Sequence, residues 1–360
     1  MSAYLIMNPT RTGVVSNYRM AATNWWADMH IYGDSTGGFL YFPQFILFFT
    51  PFNMIRPEIF GEIIWRAFGF GLFSWALWRL ATIHQPNGRL GTAAPTFLTI
   101  LFLAVPASLA ALNNGQTNLP LSASLVLAVL AIRSRQWGWA AFLLSLAVIL
   151  KPIALAPWLL AFAVFPAIRK PLLLGLVPLL LLGFLHHDLH YATDRWVKCL
   201  QKIVRSYTPE NLRVSDLFGM LEKAGFPALP WVKSTTRALA CLGALAWVWQ
   251  AFQKGGLGVG SWTLWVASSL VLTVFNPRVE TNSYVLISPL LACAAVGYLQ
   301  DDAGRRWMGW ILVAACFGLM CDGMGLWIYK ATDVWLKPLI VLLVSPLLFR
   351  APEAWRVEIR

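Results

Sequence analysis

From residue 58 onward the chain is a succession of apolar runs separated by short polar turns. A helix crossing a bilayer needs ~17–25 residues, and by that measure about eleven runs cross or nearly cross. Their cores lie at 58–82, 94–112, 117–133, 137–151, 152–167, 171–186, 237–254, 260–276, 282–299, 307–328 and 333–350. Several are short, so those beside Pro152 and Pro166 are read either as misjudged boundaries or as half-spanning helices. The pattern predicts an all-α polytopic membrane protein, a bundle of about 11 transmembrane helices with interfacial helices outside it. Four parts follow: a first outer loop over 1–57, a first helix group over 58–186, a second outer loop over 187–236 and a second helix group over 237–360.

Two segments do not fit a simple span. Gly38 to Phe52 is apolar but short and carries Pro43 and Pro51, so it is read as a helix lying in the outer interface. No apolar run precedes it, and MSAYLIMNPTRTGVV lacks the features of a signal peptide, so the natural chain is expected to begin earlier, with a first helix this sequence lacks. The stretch 187–236 is the one long polar loop between spans. Within it, Trp196 to Tyr207 puts Trp196, Cys199, Leu200, Ile203 and Val204 on one helical face and Lys198, Lys202 and Arg205 elsewhere, which predicts a helix on the membrane surface.

Composition sharpens the class. Hydrophobic residues make up 58% of the 360 and charged ones 12%, against roughly 45–50% and 25% in a soluble domain. A soluble enzyme and a disordered tail are both excluded. The formal charge of +12 would point to nucleic acid in a soluble domain; here it orients loops. With the C-terminus inside, the inner connections carry Arg79, Arg89, Arg133, Arg135, Arg169, Lys170, Lys254, Arg305, Arg306, Arg350, Arg356 and Arg360. The outer ones carry Arg56, Lys151, Arg278 and Lys330, a bias of about twelve to four. Cys199, Cys241, Cys293, Cys316 and Cys321 lack metal-binding spacing and are read as packing residues.

Charges at a membrane face are costly and therefore informative. On the predicted outer side lie Asn17, Tyr18, Arg19, Asp28, His30, Tyr32 and Asp34, then Glu62 and Arg66, then Asn113, Asn114, Gln116 and Asn118, then Lys151, and finally Arg278, Glu280, Asn282 and Tyr284. Separate regions thus deliver polar groups to one face, which implies a site between helices that opens outward. Glu62 and Arg66 are spaced i,i+4, either a self-neutralising pair or an arginine facing an anionic ligand with Glu62 orienting it. Asn113 to Asn118 contains a turn-forming Asn-Gly, yet holds more amides than a turn requires. Lys151 is a lone ammonium between apolar runs, either snorkelling or binding a phosphate or carboxylate. The HHDLH run, His186 to His190, reads more readily as interfacial anchors than as a metal site completed by Asp188 or Asp194. Without a P-loop, GxGxxG, GxSxG or HExxH, nucleotide-driven pumps and the familiar hydrolases drop out.

The order of these pieces resembles glycosyltransferase family 87. NYRMAATNWWADMHIYGDSTGGFLYFPQFILFFTPF is similar to the family's first outer loop, with Tyr18, Ala21, Ala22, Tyr32, Tyr41, Pro43 and Pro51 in matching places. The segment from Asn113 resembles its Gly-Gln-x-Asn stretch, basic inner turn and Lys-Pro, through Gly115, Gln116, Asn118, Arg133, Arg135, Lys151 and Pro152. NLRVSDLFGML and NPRVETNSYVLISPLL are weaker echoes. The resemblance runs from residue 17 to about 299 and implies a GT-C fold of the bacterial plasma (inner) membrane. It also implies transfer of a hexose, such as mannose, from a polyprenyl-phosphate donor to a glycan or glycolipid hydroxyl on the extracytoplasmic side.

On that resemblance Arg66, Lys151 and Arg278 are expected to bind the donor phosphate, and Asn17, Tyr18, Tyr32, Tyr41, Gln116, Asn118, Asn282 and Tyr284 to line the substrate. The family's catalytic Asp stands where this chain has Asn17, and an amide does not accept a proton as a carboxylate does. Asp28 and Asp34, in the same loop, are the expected substitutes. No cofactor is required, though a divalent metal is compatible; membrane lipids are expected partners and nucleic acid is not. Two other classes stay open: an inactive lipid-binding relative, which Asn17 favours, and a transporter or flippase, for which internal repeats are expected and none is convincing.

Overall fold

The computed structural model describes residues 13–35, 37–83, 90–206, 214–300, 304–320 and 334–356. Arg89, Lys330, Arg360, Cys321, the first twelve positions and parts of the 307–328 run and of NLRVSDLFGML lie outside the described residues. Among the described residues the fold is helical, with no strand. In chain order the helices are α1 (Val15–Trp26), α2 (Pro43–Met54), α3 (Glu58–Ile83), α4 (Leu90–Asn113), α5 (Asn118–Arg133), α6 (Trp137–Leu150), α7 (Leu155–Val164) and α8 (Arg169–Leu181). There follow α9 (Leu189–Arg205), α10 (Leu217–Lys223), α11 (Pro230–Leu270), α12 (Ser288–Leu299), α13 (Arg306–Gly318), α14 (Leu336–Leu348) and α15 (Glu353–Arg356).

Each apolar run of the sequence contributes to a helix, but length separates them. Three stretches are long and apolar enough to cross a membrane: Ala93–Asn113, Pro166–Phe184 and Pro230–Phe275. Six others are apolar but hold only 10–17 residues. The reason is punctuation. Pro152 and Pro166 cannot donate to a continuing helix, so α6, α7 and α8 are separate pieces joined by short 3-10 turns at Pro152–Ala154 and Pro166–Ile168. The runs 237–254 and 260–276 join in one element, α11, which Gly256 breaks at φ 65°, ψ −160°.

Helix α5 is the axis of the fold. All of its residues are buried, from Asn118 to Arg133. A helix buried around its whole circumference is an interior one, which its small Ala and Ser residues allow by letting neighbours approach closely. It packs against α3, α6 and α11. At the α3 crossing Gly69 admits the ring of Pro120, since a Cβ there would lie 3.3 Å from Pro120 Cδ. Helix α8 is the opposite case: Leu173, Leu174, Val177 and Leu181 all point away from the protein. Exposed apolar surface of that kind marks a contact with lipid or with another protein.

The first outer loop builds a second core. Val15, Tyr18, Ala21, Ala22 and Trp25 on α1 pack with Phe45, Ile46 and Phe49 on α2 and with Trp65 on α3. Helix α9 covers this assembly, starting earlier than the sequence predicts because the Asp188 side chain caps it, accepting from the backbone N–H groups of His190 and Tyr191. Those N–H groups, that of Tyr191 foremost, hold the Asp188 carboxyl below its ordinary range. The amphipathic face also differs. Leu189, Val197, Leu200 and Val204 form an exposed apolar ridge, whereas Cys199 and Lys202 turn inward. Lys202 Nζ donates to the carbonyls of Gly33, at 2.7 Å, and Ser35, which explains why a lysine is on the protein side.

Candidate functional site

The N-terminal end of α5 carries a polar network of residues from three chain segments. Asn118, its first residue, is fully buried. Its Nδ2 donates to Gln116 Oε1 at 2.7 Å, and its Oδ1 accepts from Lys151 Nζ at 2.9 Å. Gln116 Nε2 in turn donates to the Glu280 carboxylate at 3.2 Å, and Asn282 Nδ2 donates to the same oxygen at 3.0 Å. Asn118 and Asn282 meet at 3.4 Å. Chain segments 164 residues apart therefore share one set of hydrogen bonds.

Local sequence places each member. Gly115 takes φ 63°, and a Cβ on it would stand 2.4 Å from Val15 Cγ2, so only glycine lets the chain turn between α4 and α5 here. Trp65 Nε1 fixes that turn by donating to Gly115 O at 2.7 Å. Lys151 is extended, as a residue before proline must be, which ends α6 and releases its side chain toward Asn118. Glu280 caps the 3-10 turn Thr281–Leu286 through a reciprocal box with Ser283. Behind that turn the buried Lys337 donates to Thr281 O at 2.8 Å.

The network is closed at its amides and open at its acid. Gln116, Asn118 and Asn282 are buried, Lys151 is half-buried and Glu280 is exposed. Lys151 lies within electrostatic reach of both Glu280 and Arg278. An aromatic wall adjoins it: Tyr18 and Tyr41 share a hydroxyl hydrogen bond of 2.7 Å, and Thr117 Oγ1 lies 3.4 Å from Tyr41 Oη. Burial raises both phenols above their ordinary value, Tyr18 well above it, so both keep their protons as hydrogen-bond donors. Tyr18 is linked through Tyr41 to Thr117, and Gln116 and Lys151 meet at the adjacent Asn118.

Other expected residues have different surroundings. Asn17 is half-buried on α1, one position before Tyr18. Tyr32 supports the wall by donating to Tyr41 O at 2.9 Å. Arg278 is half-buried, and its Nη1 donates to Ser206 O at 2.7 Å. Tyr284 is fully enclosed, with its hydroxyl 2.7 Å from Ser215 O and 3.2 Å from Thr273 O. Arg66 is enclosed as well and pairs with Glu62 at 3.0 Å, the self-neutralising arrangement; Glu62 also lies 3.7 Å from Arg19, which pairs with Glu58. A narrow crevice beside Arg66 is lined by Trp65, Gly69, Gln116 and Pro120.

The two expected bases lie apart from these contacts. Asp28 sits against His186 and His187, at 3.5 and 3.2 Å. Asp34 is fully exposed, 3.6 Å from Arg205. The carboxylate that does enter the network is Glu280, which sequence reasoning grouped with the other polar residues without a role. The available signal was a charged cluster, Arg278 to Ser283, interrupting two apolar runs, with Glu280 three residues before Ser283 in capping register. In the HHDLH run, Asp188 serves as the helix cap and Asp194 pairs with Arg195, so the acid beside the histidines is the distant Asp28.

Compared with known proteins, the chain matches the model of glycosyltransferase family 87 over residues 39–289. No curated protein matches it. The matched span includes Tyr41, Gln116, Asn118, Lys151, Glu280 and Asn282, the whole of the hydrogen-bonded set at the head of α5.

Proposed function

The chain belongs to glycosyltransferase family 87, and on that premise we propose that it moves a hexose, mannose foremost, from a polyprenyl-phosphate donor to an acceptor hydroxyl. The acceptor is a glycan or glycolipid at the extracytoplasmic face of a bacterial plasma membrane, with the C-terminus cytoplasmic. The observation that carries this reading is the exposed Glu280 carboxylate, fixed by two buried amides within electrostatic reach of Lys151.

Each half of the reaction needs one of those charges. As the acceptor oxygen attacks the anomeric carbon it loses its proton, and a carboxylate in hydrogen-bond reach takes it. As the anomeric C–O bond breaks, negative charge gathers on the departing phosphate, and fixed cations stabilise it there. Lys151 supplies three N–H donors, of which Asn118 accepts one, and Arg278 supplies a second cation. Arg66, enclosed with Glu62, is the least available of the three expected phosphate ligands. Glu280 takes the base role in preference to Asp28 and Asp34, because its two amide donors fix one carboxyl oxygen in direction while its surface stays open. The lipid-facing side of α8 offers the apolar surface that a polyprenyl chain requires.

The test is transfer of radiolabelled hexose from polyprenyl phosphate by the purified protein in nanodiscs, with membrane glycolipid extract as acceptor. Incorporation by the wild type and its loss in Glu280→Gln are the expected results. Tight donor binding with no incorporation for any acceptor would instead favour the inactive relative that Asn17 makes plausible. Movement of lipid across the bilayer without transfer would favour a flippase.

A further inference from the structure

We propose that Asp28, His186 and His187 form a divalent cation site of the zinc class, which latches the end of α1 to the start of α9. Their ligating atoms all lie within 4.8 Å of one another. His186 Nε2 is 3.5 Å from one Asp28 oxygen and His187 Nε2 is 3.2 Å from the other. Two ligands held about 2.0–2.1 Å from a tetrahedral zinc ion stand about 3.3 Å apart, so these spacings are those of a cation's first shell. Two imidazoles and a carboxylate are also the donor set that borderline metals prefer over magnesium or calcium.

The surroundings supply what a metal-binding histidine needs. His186 Nδ1 lies 3.1 Å from the backbone carbonyl of Asp188, the outer contact that fixes a ligating imidazole by taking its second N–H. In that tautomer Nε2 is bare and faces the cation. The carbonyl of Trp25, from the last turn of α1, stands 2.9 Å from the same Nε2. With Nε2 bare, His186, the Asp28 carboxylate and Trp25 O are neighbouring acceptors, and a cation is what would balance them. Without metal the same ring reverses its proton, donating from Nε2 to Trp25 O and accepting at Nδ1 from the Asp188 N–H.

Burial divides the site usefully. The His186 side chain is enclosed, packed edge-on to Trp25 with ring centres 4.9 Å apart, and is the rigid ligand. Asp28 and His187 are 49% and 63% exposed, which leaves a path for the ion and room for a water as fourth ligand. The site joins chain segments about 160 residues apart and contains none of the residues given to glycosyl transfer, so its role is to hold the outer loops together and its test does not depend on that reading.

The experiment uses the full chain in nanodiscs, free of any histidine tag, titrated with Zn²⁺, Co²⁺ and Mg²⁺. Wild type is expected to take up one Zn²⁺ per chain and to give visible Co²⁺ absorption bands of a site with nitrogen ligands. Its melting temperature rises with Zn²⁺ and not with Mg²⁺. Asp28→Asn and His187→Ala, both at exposed positions, weaken binding roughly tenfold or more, whereas His190→Ala leaves it intact. Zn²⁺ uptake by wild type equal to that of His187→Ala, or equal loss in His190→Ala, overturns the site. Should Asp28→Asn fail to fold, His187→Ala alone decides it.

Discussion

The two ends of α5 are both polar and both buried in an apolar bundle, yet they are built for different purposes. At the C-terminal end Arg133 donates to Ala354 O at 2.6 Å and lies over the ring of Trp355, 5.2 Å from its centre. Arg133 is 7% exposed and Trp355 is fully buried, so that end is sealed. At the N-terminal end, amides from two chain segments hold an acid that faces out and an ammonium with donors to spare. A charge in a membrane protein marks function only when its partners leave it something to bind with. The Arg66–Glu62 pair, although it lies on the same side as the network, belongs with Arg133 by that criterion.

That contrast can be broken by experiment. The largest effect is expected for Glu280→Gln, which removes the base while keeping the amide contacts: the rate of transfer falls by about a hundred- to ten-thousand-fold, read by the radiolabel assay. Asp28→Asn and Asp34→Asn stay within a few-fold of wild type in the same assay, and a loss in either that matches Glu280→Gln would return the base to the first loop. Lys151→Met comes next. Losing a charged hydrogen-bonding group costs about 1.5–3 kcal/mol, expected as a rise in KM for the donor of roughly ten- to a hundred-fold, together with a lower melting temperature because the buried Asn118 Oδ1 loses its donor.

Arg133→Met sharpens the comparison from the sealed end. It removes a charged hydrogen bond worth about 1.5–3 kcal/mol, so the melting temperature drops while transfer per folded molecule is unchanged; a changed rate with normal stability would give this end a functional role. The smallest effect is expected for Tyr18→Phe, which deletes one neutral hydrogen bond to Tyr41, about 0.5–1.5 kcal/mol. It lowers stability slightly and leaves the donor KM within a few-fold, measured by thermal melting and steady-state kinetics.

Helix positions were legible in the sequence because apolar runs and prolines act locally: Pro152 and Pro166 marked real breaks before any contact was known. Gln116, Asn118 and Lys151 were legible as polar residues out of place among apolar ones. Glu280 was visible but not chosen, because its value lies in meeting Gln116 from far along the chain, and spacing carries no trace of that meeting. Helix α9 went the same way. Its amphipathic period predicted a helix but not that Lys202 would turn toward the carbonyls of Gly33 and Ser35.

The sequence by itself determined that this is a helical chain rich in lipid-compatible surface, where its helices break and that its polar groups gather in a few places, since hydrophobic period and proline geometry are properties of neighbouring residues. Only the tertiary structure decided which of those groups meet, which charges cancel and which stay open. Desolvation and ion pairing depend on distances between segments that are remote along the chain, and folding sets those distances.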